Sequence, residues 1–234
     1  MEEYERVWER FVGGRRLEFG GYMDPEWQDG HTLSASLVVP GEASRFHERL
    51  EPLREALRPF PFVSLHPDYF MHVTLVLLGF PVDEPGEEDE VSRERLQEIA
   101  ERARIALSDV PAFTVRFANL NAFPGAAFIE AHDGGALDRL RATLCTSCDL
   151  KKPPGPPHLT LAYFQAPDGT YAPEELVSTI ARYRDWPIGE ILVKNVEMTL
   201  LDLSLDYPEP ETLARIPLNK AGRGRWFEPS IVHT

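Results

Sequence analysis

Apolar and polar positions change period along this chain, and the changes divide it into elements. LSASLVVP (Leu33 to Pro40) alternates and then turns wholly apolar, which predicts a strand. In GEASRFHERLEPLREALRPF, Phe46, Leu50, Leu53 and Leu57 recur at three and four, the stripe of an amphipathic helix that Pro59 and Pro61 end. HVTLVLLGF, from His72, reads as a strand closed by Gly79. SRERLQEIAERARIAL is the clearest helix, with Ser92 as N-cap and Leu96, Ile99, Ala103 and Leu107 on one face. FTVRFANL and AAFIEAH are predicted strands around a turn-like NAFPG, and GALDRLRATL is a helix. KKPPGPP has too many prolines for a helix interior. HLTLAYF is a strand, PEELVSTIARYR a helix with Pro173 near its start, and ILVKNVEMTLLDLS one or two strands.

Strands follow one another across short turns as often as they alternate with helices. That favours antiparallel pairing and an α+β fold over a doubly wound parallel sheet. Residues 1–30 read as an N-terminal extension, 31–220 as a single domain of two similar lobes, and 221–234 as a tail in which Trp226 and Phe227 could pack back. Composition agrees with a globular chain: 43% hydrophobic and 26% charged residues over 234 positions, enough for one sizeable core. No apolar run approaches the roughly 20 residues a membrane helix needs, and the charged start MEEYERVWERFVGGRR does not read as a secretory signal. A cytoplasmic monomer without membrane association is expected.

The net charge of -14 argues against nonspecific binding to long nucleic acid, while leaving room for a local phosphate pocket. Much of the acid is concentrated in DEPGEEDE (Asp83 to Glu90), a solvated linker by composition. Cys145 and Cys148 form a lone C-x-x-C at the end of a helix. A structural zinc site wants four ligands and a redox pair wants a helix start, so these read as incidental thiols.

The distinctive feature is a repeat. His72-Val-Thr74-Leu and His158-Leu-Thr160-Leu each open a predicted strand after a helix and a loop. Chance gives about one third of an H-x-T in a chain with this His and Thr content. Residues i and i+2 of a strand share a face, so each His and its Thr point the same way, while Val73, Leu75 and Leu77, or Leu159, Leu161 and Tyr163, point to the other. Two imidazoles can divide general acid and general base duties near neutral pH, and two hydroxyls can steady a phosphoryl group. That set suits in-line displacement at phosphorus with no metal and no cofactor. There is no G-x-S-x-G for a serine hydrolase and no H-E-x-x-H for a metalloprotease.

At these residues the chain resembles the 2H phosphoesterase superfamily, whose signature is a paired H-x-T/S-x motif. HVTLVLLGF looks most like the bacterial branch, the RNA 2′,3′-cyclic phosphodiesterases or 2′-5′ RNA ligases. NAFPGAAFIEA resembles that branch's aromatic-Pro loop and following strand, and VKNVEMTLLDLS its closing strand, over roughly Leu33 to Leu218. The resemblance implies a bilobal fold, two antiparallel-sheet lobes with outer helices and the motifs facing across a central cleft. It implies metal-independent action on 2′,3′-cyclic phosphates or 2′-5′ linkages, with His72 and His158 as the acid/base pair and Thr74 and Thr160 holding phosphate. For opening a 2′,3′-cyclic phosphate, His158 is expected to be the base and His72 the acid. Relatives often carry basic residues where this chain has Gly125-Ala126-Ala127, and the chain is acidic. A nucleotide or short oligonucleotide is therefore the expected substrate rather than long RNA.

Further candidates are weaker. Lys151 and Lys152 precede the second motif and could reach a phosphate, though isolated lysines are usually solvated. Phe123 could stack on a base or plug a core. Tyr69, Phe70 and Tyr163 read as core. His31, His47, His66, His132 and His233 have no partner pattern. Two competing readings share the four motif residues: a nucleotide- or RNA-end-binding module without turnover, and a related enzyme on a non-RNA cyclic phosphate such as an ADP-ribose derivative.

Overall fold

The computed structural model describes residues 2–219. In chain order the elements are helix α1 (Glu2–Gly14), the short helix α2 (Pro25–Gln28), strand β1 (Leu33–Pro40), helix α3 (His47–Leu57) and strands β2 (Val63–Leu65), β3 (His72–Pro81) and β4 (Glu90–Val91). Helix α4 (Arg93–Leu107), strands β5 (Phe113–Phe123) and β6 (Ala126–His132), helix α5 (Ala136–Cys148), strand β7 (His158–Phe164) and helix α6 (Glu174–Arg182) follow. Strands β8 (Pro187–Val193), β9 (Asn195–Asp202) and β10 (Glu211–Pro217) close the fold. Ser92 caps α4 as its sequence predicts, its hydroxyl accepting from the Arg95 N–H at 3.1 Å.

The strands form one curled sheet in the order β10-β9-β1-β3-β7-β6-β5-β8, and every pair along that path is antiparallel. The two halves are not equally joined throughout. β3 meets β7 at a single bridge, Val73 to Leu159. That seam divides the sheet into a first lobe (β10, β9, β1, β3) and a second lobe (β7, β6, β5, β8). The chain repeats one arrangement about it: β1-α3-β3-α4 on one side and β6-α5-β7-α6 on the other. The helices cross over the seam. α4 and α5 pack together behind β10 and β3, whereas α3 and α6 pack behind β8 and β5. The main core fills the space between sheet and helices and runs through both lobes, from Leu50, Leu53 and Leu57 of α3 to Leu137, Leu140 and Leu144 of α5.

Both motif strands carry a β-bulge at the same place. The partners of β1 skip Leu75, and those of β6 skip Leu161. Each bulged residue is the Leu of H-x-T-L. The extra residue reverses the alternation beyond it. Leu77 and Tyr163 therefore do not lie on the helix side, as strict alternation predicts. Leu77 is exposed, and Tyr163 packs against Tyr22 and His66. Strand β3 also runs through Gly79 rather than stopping there. Gly79 has φ +112°, and a Cβ on it would stand 2.2 Å from the Asp89 carbonyl oxygen, so glycine here admits the loop that leads into β4.

The N-terminal residues are packed onto this frame. Tyr4 and Val7 of α1 are buried with Phe128 and Phe123 on the second lobe. The segment after α1 crosses to the first lobe. Its Leu17 and Gly20 N–H groups donate to Thr170 and Phe164 carbonyls, and His31 stacks on Phe80 with Nε2 3.0 Å from Glu90. The β5–β6 hairpin turns on Pro124 and Gly125 alone, with Asn121, Ala122 and Phe123 inside the strand. A Cβ at Gly20 would overlap the Gly125 carbonyl, so this turn is crossed closely by the segment that follows α1. ETLARIP, for which the pattern predicts no element, forms the edge strand β10, and ILVKNVEMTLLDLS forms two strands that belong to different lobes. Trp226, Phe227 and His233 lie outside the described residues. Among the described residues no helix is long and apolar enough to cross a membrane.

Candidate active site

The seam brings the two motifs together. Val73 and Leu159, bridged and fully buried, face the core. Extending that antiparallel register by one residue each way sets His72 opposite Thr160 and Thr74 opposite His158, all four on the other face and half-buried. The bridge thus puts the His and Thr of both motifs on one face at the seam. Among the described residues neither Thr hydroxyl is paired with a protein group.

The histidines are held in the same way. His72 Nδ1 lies 2.8 Å from the Phe70 carbonyl, and His158 Nδ1 lies 2.9 Å from the Pro156 carbonyl, each two residues back. A carbonyl only accepts, so Nδ1 carries the hydrogen and Nε2 keeps its lone pair in the neutral ring. Burial lowers both below the ordinary histidine range. His158 is lowered to about 4, by burial first, with the Arg141 guanidinium and His72 adding to it. At neutral pH the free protein therefore presents two neutral imidazoles.

The surroundings differ between the two lobes. Phe123 stacks on Phe128 at 4.3 Å and sets its ring 4.9 Å from His158, so one of its faces is taken. Phe70 is buried 6.0 Å from His72, as the sequence suggests. Tyr69 is not core: it is exposed, donates to the Tyr207 carbonyl and lines a cavity of about 270 Å³ that includes His72, Glu197 and Thr199. A larger cavity of about 410 Å³ lies away from the motifs, walled by Leu96, Met198 and Leu213. Lys151 pairs with Glu88 and Lys152 with Asp138 at 3.4 Å, both on the surface of the loop before the second motif.

Sequence reasoning missed His66. It is 3% exposed, ringed by Phe70, Tyr163 and Tyr207, and held well below the ordinary range by burial, with the charges of His72 and Arg54 adding to it. Its backbone N–H donates to the Leu161 carbonyl, continuing the β2–β7 pairing. The apolar-aromatic spacing around SLHPDYF was the only hint of such a box. Cys145 and Cys148 are free thiols pushed up by burial, Cys148 fully buried, consistent with incidental residues. Among the described residues no cluster of three His, Cys, Asp or Glu side chains could hold a metal ion.

A curled antiparallel sheet with an H-x-T-L motif on each side of its seam defines a class, the bilobal 2H phosphoesterase-like fold. The model of the 2′-5′ RNA ligase superfamily matches residues 39–202, and the chain belongs to that superfamily. Solved structures agree at the level of fold. TT0787 of Thermus thermophilus is 20% identical, with a TM-score of 0.53 over 80% of this chain and 98% of its own. E. coli LigT, crystallised with NADP+, is 15% identical with a TM-score of 0.57 over 82% of this chain and 100% of its own. A conserved protein of unknown function from Agrobacterium tumefaciens, ATU0111, is 16% identical with a TM-score of 0.51 over 87% and 91%. No curated protein matches the chain.

Proposed function

We propose that the chain is a metal-independent phosphoesterase that opens 2′,3′-cyclic phosphates, or acts on 2′-5′ linkages, of nucleotides and short oligonucleotides. The observation that carries this reading is the matched pair of imidazoles at the seam, each tied at Nδ1 to a carbonyl two residues back and each on one face with the threonine of its own motif. His158 Nε2, the less basic ring, takes a proton from water. The water oxygen attacks phosphorus, the P–O3′ bond breaks, and His72, protonated at Nε2, gives its proton to O3′. The product is a 2′-phosphate with a free 3′-hydroxyl. Thr74 and Thr160 donate to the non-bridging oxygens as charge builds on them. Protonation of His72 is made easier when an anionic phosphate binds beside it.

Membership in the 2′-5′ RNA ligase superfamily supports the reaction type. Crystal structures of E. coli LigT with ATP, with 3′-AMP and with NADP+ support a nucleotide-sized substrate. The test is a panel of 2′,3′-cyclic nucleotides, 2′-5′ dinucleotides and cyclic ADP-ribose phosphates assayed with EDTA present. Turnover of a cyclic nucleotide that EDTA leaves unchanged is expected. Tight binding without turnover would replace the enzyme by a binding module, and loss of activity in EDTA would end the metal-independent mechanism.

A further inference from the structure

The repeat extends beyond H-x-T-L. Helices α3 and α5 each carry Leu-Arg-x-x-Leu, with Arg54 eighteen positions before His72 and Arg141 seventeen before His158. All four leucines are fully buried, and both arginines are nearly so, at 6% and 2% exposure. Buried guanidiniums are costly, so what they hold matters. Arg54 donates to the His66 carbonyl at 3.0 Å and pairs with Asp68, bracing the approach to the first motif. Arg141 donates to the Gly155 carbonyl at 3.0 Å, bracing the approach to the second, and to the Thr74 carbonyl at 2.7 Å.

The second bond is explained by the seam. β3 and β7 part on both sides of Val73 and Leu159; β2 pairs with β7 on one side, while on the other the Thr74 carbonyl of β3 takes its hydrogen bond from a side chain. α5 packs behind β3, so Arg141 enters the gap from the helix side and takes the Thr74 carbonyl. One side chain thereby links the first motif to the loop that ends in His158. The two arginines differ in charge balance. Arg54 contacts Asp68 and, more distantly, Glu51. Among the described residues Arg141 is in no ion pair: nearby Asp138 is turned to Lys152, and the Arg141 Nε is buried without a partner.

We propose that Arg141 is a positioning residue of the phosphoesterase site, fixing the two motifs at one separation, and that its unneutralised charge distinguishes His158 from His72. This rests on the function proposed above but reads out separately from it. The groups that face His158 are His72 from β3, Arg141 from α5, Tyr4 from α1 through the Pro157 carbonyl, and Glu130 from β6. Glu130 is itself paired with Arg184. Arg141 is therefore the cation acting on this ring that makes no ion pair among the described residues. Its presence favours a neutral His158 in the free protein, the state a base requires.

The experiment is an NMR titration of the histidine rings in the full chain, with and without the substitution, alongside kcat on a 2′,3′-cyclic nucleotide. In Arg141→Met the His158 pKa should rise by about one unit while His72 moves less. In Arg141→Lys, which keeps charge but not the two-pronged contact, the pKa should stay and kcat should fall about tenfold. Arg54→Met should leave the His158 titration in place. A folded Arg141→Met with an unmoved His158 would overturn the electrostatic role. Wild-type kcat in Arg141→Lys would overturn the bracing role, and this second variant decides if the first does not fold. The titration needs no turnover, so an inactive wild type would count against the phosphoesterase reading and not against Arg141's effect on His158.

Discussion

The two motif segments are built alike and furnished differently. Each has a leucine bulge after the threonine, a histidine tied to the carbonyl two residues back, and a buried arginine on the preceding helix. Around His72 the arginine is matched by Asp68, and an open cavity adjoins the ring. Around His158 the arginine is unmatched, and Phe123, Phe128 and α1 close in. The shared parts define the geometry of a symmetric site. Under the proposed function, these differences would let two identical side chains take opposite proton-transfer roles, since an acid and a base working at one pH need different environments.

The largest effects should come from the shared parts. His72→Ala and His158→Ala should each lower kcat on a 2′,3′-cyclic nucleotide on the order of 10²- to 10⁴-fold. Thr74→Val and Thr160→Val keep the shape and remove one donor each, and about a 10²-fold loss in kcat with little change in KM is expected. A loss appearing only in KM would assign the hydroxyls to ground-state binding.

The difference between the rings should show in pH dependence. kcat/KM reports the free enzyme, where the base must be deprotonated and the acid protonated. Under the proposed roles, His158 near 4 sets the rising limb, and His72, lowered from 6.5, sets the falling one. The maximum should therefore lie on the acid side of pH 6.5, with apparent values that belong to the coupled pair. A plateau extending above about pH 7 would contradict the assignment of His72 as acid.

The smallest effect tests how α1 furnishes the second motif. The Tyr4 hydroxyl accepts from the Ala131 N–H at 3.1 Å and reaches the Pro157 carbonyl next to His158. Tyr4→Phe should cost about 1–2 kcal/mol in urea unfolding, because a buried N–H loses its partner. An unchanged midpoint would mean that water or backbone movement replaces the hydroxyl.

Much of this was legible in the order of residues, for reasons that also mark where it was not. Strand β1, the cap at Ser92 and the twin H-x-T-L strands follow from period and cap chemistry. The bulges at Leu75 and Leu161 leave no trace in the pattern, because the residues after them, Val76 and Ala162, are apolar too. That is why strict alternation puts Leu77 and Tyr163 on the wrong face. Arg54 and Arg141 look like solvated helix positions in sequence. Only the crossing of α3 and α5 behind the opposite lobe turns them to the seam. His66 was passed over because no second copy of it exists, whereas repetition is what made His72 and His158 visible.

The most direct test of a single site made from both motifs is a comparison of His72→Ala/His158→Ala with the two single variants, assayed on one 2′,3′-cyclic nucleotide. If the rings act as a unit on one phosphate, the double variant should be no more than a few-fold slower than the worse single variant. Losses that multiply, or near-full activity in either single variant, would contradict the account.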